Sequence, residues 1–151
     1  MIDRVGLFSE FDENDKNLIA GLLHEKEFPS GSVVYREGEP GDLLNFVMKG
    51  KLNVCKTTTE GEQYCMVSLT EGEIFGIMSF LDGSRHDATI IADSDTQLLT
   101  LRKADFDNLL ASDTLLAAKV LKGLAMHLAR IVRNMNSQYM DLMHYMFRKS
   151  K

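Results

Sequence analysis

The chain predicts a mainly β fold with flanking helices, an antiparallel sandwich or barrel followed by a long C-terminal helix, and three observations lead there. Short strand-like runs alternate with glycine-rich turns from His24 to Arg102. From Leu121 onward the apolar residues step by three and four, the period of an amphipathic helix. The composition, 44% hydrophobic and 26% charged over 151 residues, is that of one ordinary globular unit with a core of its own.

In chain order, Phe8 to Gly21 opens with an acidic turn and continues into Leu18, Ile19, Leu22 and Leu23. Asp12 or Asn14 can cap a short helix there, and Gly21 is a natural end. Strand-like runs follow at His24–Phe28, Ser32–Tyr35, Leu44–Lys49, Lys51–Thr57, Glu62–Leu69, Ala88–Ala92 and Gln97–Arg102. Pro29-Ser30-Gly31, Glu37-Gly38-Glu39-Pro40-Gly41-Asp42, Gly50, Thr59-Glu60-Gly61, Glu71-Gly72 and Asp93-Ser94-Asp95 turn the chain between them. A short helix is expected over Ala104–Leu110, and Asp113 is a good N-cap for the long one.

That helix carries Leu121, Leu124, Leu128, Ile131, Met135, Leu142 and Tyr145 in a heptad-like seam interrupted at Gln138. From Asp113 to Phe147 it would span roughly 50 Å at 1.5 Å per residue, more than a domain this size covers. Parallel pairing with a second copy accounts for the surplus, so a homodimer through the C-terminal helix is expected. The competing reading is a break at Asn134-Met135-Asn136-Ser137, whose Asn and Ser are poor helix-interior residues. The expected organisation is a roll over 1–112 and the C-terminal helix over 113–151.

The stretch from Gly72 to Ile90 organises the rest. It opens as a strand, passes through one turn of helix after Gly76, and returns through Asp82-Gly83-Ser84 to a β-branched strand. Free backbone N–H groups at the helix start, faced by an arginine on the returning loop, make an anion cradle. Gly76-Ile77-Met78-Ser79-Phe80-Leu81-Asp82-Gly83, then Arg85-His86-Asp87-Ala88-Thr89-Ile90, closely resembles the phosphate-binding cassette of cyclic nucleotide-binding domains. Glu37-Gly38-Glu39-Pro40-Gly41-Asp42 and Phe46-Val47-Met48-Lys49-Gly50-Lys51 resemble early strands of the same family, so the resemblance runs from about Leu7 to Leu110.

The resemblance implies a double-stranded β-helix or jelly-roll β-roll with an N-terminal helix, and cAMP or cGMP as ligand. It places the ligand at Gly76, Ile77, Met78, Ser79, Arg85, His86, Ala88 and Thr89, with Arg130 and Asn134 of the last helix reaching over the base. Three residues depart from the family's wording. Ile77 stands where the family carries the glutamate that takes a ribose hydroxyl, His86 where it carries the phosphate-pairing arginine, and Asp87 where it prefers a small residue. Arg85, one position early, either pairs with the phosphate or faces solvent. Asp87 either turns outward or pairs with Arg85 and fills the cradle. Two functions follow: a regulatory sensor of a cyclic nucleotide or similar small phosphate ligand, or a ligand-free roll serving as a dimeric interaction module.

Other classes fit less well. A net charge of −5 opposes general nucleic-acid affinity. Helix-turn-helix readers in this fold follow the long helix, and none is expected before Lys151. His24, His86, His127 and His144 are scattered singly and no nucleophile–base set stands out, so neither a metal, a cofactor nor an enzyme is expected. Cys55 and Cys65 sit in strand-like runs and read as packed thiols. With no signal-peptide pattern at Met1-Ile2-Asp3 and no membrane-length apolar segment, the chain reads as cytoplasmic.

Overall fold

In the computed structural model, which describes residues 2–149, turn chemistry and a period of two build a pair of facing sheets. Met1, Ser150 and Lys151, which the reading of the two termini touched, lie outside the described residues. Two single-turn 3-10 helices, Ile2–Arg4 and Gly6–Phe8, lead into helix α1, Glu13–Ala20. Asp12 caps α1 through a reciprocal pair: the Asp15 N–H donates to Asp12 Oδ1 at 2.8 Å and the Asp12 N–H to Asp15 Oδ2 at 3.3 Å.

The strands are β1 Leu23–Phe28, β2 Val33–Tyr35, β3 Leu43–Lys49, β4 Leu52–Thr57, β5 Gln63–Leu69, β6 Ile74–Phe75, β7 Thr89–Ala92 and β8 Thr96–Arg102. Among the described residues they form two four-stranded sheets, ordered β1-β8-β3-β6 and β2-β7-β4-β5, with neighbouring strands antiparallel. The expected mainly β fold with flanking helices is therefore what forms. The strand that opens the Gly72–Ile90 stretch is β6, only two residues long.

Strand β3 shows how the layers are stacked. Leu44, Phe46 and Met48 point to one side, into a large cluster with Phe8, Phe80 and Leu101, while Val47 points to the other, into a smaller cluster with Leu52, Phe75, Ile90 and Leu98. The first cluster joins the sheet to the helices, and the second fills the space between the sheets. A strand buried on both faces reads as a continuous apolar run, and Phe46-Val47-Met48 is one.

Helix α2, Ile77–Asp82, and helix α3, Lys103–Ser112, flank the roll, and helix α4 runs unbroken from Thr114 to Lys149. Asp113 caps α4 by accepting the Leu116 N–H at 3.2 Å. At 36 residues α4 is about 54 Å long. It passes through Asn134–Ser137 without a break.

One expectation about these elements needs correcting. Cys55 and Cys65 are bonded to each other in a disulfide, not packed as thiols. A bulge between Val54 and Cys55 brings them opposite one another on β4 and β5. The apolar seam of α4 divides between the roll and solvent. Leu124, with Leu116 and Val120 before it, is buried against the roll and Leu128 packs beside them, whereas Met135, Leu142 and Tyr145 are exposed. At 36 residues α4 is longer than the domain it packs on, so its early turns are buried and its later turns extend past it.

Candidate functional site

Gly76 sets the geometry of the cassette. Its φ of 77° is left-handed, and a Cβ there would stand 2.8 Å from the Leu43 carbonyl oxygen and 2.9 Å from Asn45 Nδ2. Only glycine permits that approach. The chain then turns into α2, whose first intrahelical bond on this turn runs from the Phe80 N–H to the Gly76 carbonyl at 3.1 Å. The N–H groups of Ile77, Met78 and Ser79 precede it and have no acceptor one turn back.

The returning loop is pinned in an antiparallel bridge to the segment before β3. The His86 N–H donates to the Glu39 carbonyl at 2.9 Å, and the Gly38 N–H donates to the His86 carbonyl at 2.8 Å. Extended residues alternate sides, so Arg85 and His86 face opposite ways. His86 points inward and is buried. Arg85 points outward, and its Nη1 donates to the Gly38 carbonyl at 2.9 Å. Arg85 is thus not the cation of the cradle, and of the two readings of this residue the solvent-facing one describes it.

The His86 ring is held on both faces. It stacks on Tyr35 with centroids 3.5 Å apart and planes 8° from parallel. On the other side a Cβ at Gly41 would lie 2.2 Å from its Cε1, so the glycine there admits the ring. Nδ1 sits 3.2 Å from the Ser79 hydroxyl, tying the loop to α2. Burial lowers the His86 pKa, against the pull of Glu39, Asp87 and Asp42. The ring is neutral at pH 7, not a standing positive charge.

Between α2, the roll and α4 lies a hollow of about 410 Å³, a chamber wide open to solvent. Val54, Leu69, Phe75 and Ile90 come from the roll, and Gly76 to Ser79 form one wall with His86, Asp87 and Ala88. Leu128, Ile131, Val132 and Met135 of α4 make the roof. Asp87 is exposed at the edge, and the Arg85 guanidinium donates to the Gly38 carbonyl instead of to it. Of the expected site residues, Gly76, Ile77, Met78, Ser79, His86 and Ala88 therefore meet around one space.

Four do not line it. Besides Arg85, Thr89 is buried in β7 with its hydroxyl accepting the Glu37 N–H at 3.0 Å. Arg130 lines a separate small cleft between the Gly6–Phe11 segment and α4, and Asn134 is exposed. Arg130 and Asn134 do share a helix face, but the face turned to the chamber is that of Leu128, Ile131, Val132 and Met135. Tyr35, Gly41 and that α4 quartet were not anticipated as site residues. Spacing of three and four marks the quartet, yet the same spacing marks a dimer seam.

The histidines make stability pH-dependent. His127, like His86, has its pKa lowered first by burial, then by Arg130, with Glu73 and a hydrogen bond to the Ile74 carbonyl opposing. A histidine kept neutral in the fold takes up a proton on unfolding, so acid favours the unfolded chain. Stability is complete above about pH 6.5 and falls as pH drops below it, before the carboxylates, which protonate nearer pH 4, contribute. Urea midpoints at pH 7.5 and 5.5 measure this, with the lower midpoint expected at pH 5.5. Equal midpoints would contradict the buried, neutral rings.

Comparison with known proteins places these features. The family model described as cyclic nucleotide-binding domain matches residues 25–113. The chain is 30% identical over 139 residues to the cyclic AMP receptor protein of Thermus thermophilus, covering 92% of this chain and 62% of that protein. It is 25% identical over 114 residues to the cAMP-dependent protein kinase regulatory subunit of Dictyostelium discoideum, covering 76% of this chain and 35% of that one. A cyclic nucleotide-binding domain from Methylobacillus flagellatus superposes with a TM-score of 0.82 at 26% identity, covering 91% of this chain and 77% of that structure. The chain thus spans less than two thirds of the length of these two curated relatives.

Proposed function

This chain belongs to the cyclic nucleotide-binding domain family, and from that premise we propose that it is a non-enzymatic regulatory domain operated by a small ligand in the chamber between α2 and α4. The observation that carries the reading is the roof. Leu128, Ile131, Val132 and Met135 of α4 face the same space as the cassette, so one ligand touches both. A ligand shifts an equilibrium only by its different affinity for the two states, and contact with a movable helix supplies such a difference. The names of two relatives attach cAMP to this fold, which makes cAMP and cGMP the reference ligands. A cyclic phosphate here would meet the first-turn amides of α2 and the Ser79 hydroxyl.

The output is α4 itself. Its later turns expose Met135 (61%), Leu142 (55%) and Met146 (59%) on one side of the helix. Pairing with α4 of a second copy would bury that stripe, so the domain works as a homodimer through this helix. The ligand-free interaction module remains the second reading, favoured by one observation: the Arg85 guanidinium is spent on the Gly38 carbonyl.

Amide hydrogen exchange on the full chain, with and without cAMP, cGMP or a neutral dye, tests the proposal. A bound ligand is expected to slow exchange in 76–79 and to change it in 128–135. If no compound at high micromolar concentration alters either segment, the interaction module is the function.

A further inference from the structure

We propose that the chamber selects an uncharged, largely apolar small molecule carrying a single hydroxyl or carbonyl, in preference to an anionic nucleotide. The proposal rests on the reading that this chamber is the ligand site, and it follows from what lines it. Floor and roof are aliphatic or aromatic: Phe75, Ile77 and Ile90 below, Leu128, Ile131 and Val132 above. Among the described residues no lysine or arginine lines it, and the one carboxylate that does, Asp87, repels an anion. The nearest guanidinium, that of Arg85, is turned away onto Gly38.

Nothing else replaces the missing positive charge. His86 is clamped between Tyr35 and Gly41 with Nδ1 on the Ser79 hydroxyl, and burial keeps it neutral. The free first-turn N–H groups of α2 offer hydrogen bonds to an anion and to a neutral acceptor alike, but carry no full positive charge. An anion moved into this space would lose part of its hydration with no cationic side chain to offset the loss. A neutral ligand loses little, and gains from removal of its apolar surface from water. The polar corner formed by Tyr35, Ser79 and His86 suits one hydroxyl or carbonyl. A volume of about 410 Å³ lies in the range of sites that take small organic ligands.

The experiment uses the full chain, the neutral fluorophore N-phenyl-1-naphthylamine and cAMP as the anionic competitor. A saturable fluorescence rise at one dye per chain is expected, with millimolar cAMP failing to displace it. Val132→Asp, at a half-exposed helix position that folding tolerates, should weaken the dye by about tenfold or more by placing a carboxylate in the roof. Ile77→Glu should do the same from the wall, while Met146→Asp, beyond the chamber, should leave the affinity unchanged. If cAMP binds at micromolar concentration and the dye does not, this inference falls while the sensor reading stands. Dye binding lost in Met146→Asp but kept in Val132→Asp would put the dye on the outer stripe and also overturn it. Failure of both compounds to bind removes the inference and the sensor reading together.

Discussion

Phe80→Ala is expected to lower the unfolding free energy by about 3–5 kcal/mol, the usual cost of deleting a buried phenyl ring. Phe80 is fully buried on α2. Its ring centroid lies 5.4 Å from that of Phe106 on α3, and the Lys103 ammonium sits 5.4 Å above it. Together with Ile77, the ring holds the cassette helix to the rest of the large cluster. Alanine leaves a cavity between two helices and a sheet that cannot all close at once. For a domain of this size that corresponds to a melting temperature lower by about 6–20 °C. Phe80→Leu, which keeps most of the volume, should cost clearly less. A loss under about 1 kcal/mol in urea denaturation would mean that α2 is not anchored through this ring.

Gly76→Ala is the second large effect, expected at about 2–4 kcal/mol from a left-handed backbone and a clash added together. The left-handed conformation costs an alanine about 1–2 kcal/mol wherever it occurs. At Gly76 the new Cβ also meets the Leu43 carbonyl oxygen at 2.8 Å, and backbone cannot step aside cheaply. Gly31→Ala separates the two contributions, because Gly31 has a φ of 86° but nothing within 4 Å of the added carbon. Equal losses in the two variants would show that the close approach at Gly76 carries no energy. A larger loss at Gly76 would show that β3 and the cassette are packed against each other as tightly as the geometry indicates.

The strands were open to reading because each is bounded by its own turn chemistry. Pro29-Ser30-Gly31 ends β1 and Thr59-Glu60-Gly61 joins β4 to β5, and both signals act within a few residues. The cassette was visible for the same reason, with Gly76 and Gly83 bracketing one short helix. Arg85 was harder. Whether it or His86 enters the cradle is a question of parity, answered by the bridge of the His86 N–H to Glu39, a contact 47 residues away along the chain.

The cysteines failed in the same manner. Ten residues separate Cys55 and Cys65, and only the register of β4 on β5, shifted by a bulge, sets them face to face. Arg130 and Asn134 share a side of α4, as the helical period requires. Which side turns to the chamber depends on how Leu116, Val120 and Leu124 seat the helix on the roll.

By itself, then, the sequence determined the elements of this protein, their order, the glycine on which the cassette turns, and a C-terminal helix longer than its own domain. Those features are local, each set by backbone sterics, turn residues and hydrophobic period within a dozen positions. The tertiary structure alone decided that a histidine occupies the cradle, that the arginine faces out, that the cysteines are joined and that α4 roofs an apolar chamber. Each of those depends on register between distant segments, where a slip of one residue reverses which side chains point inward.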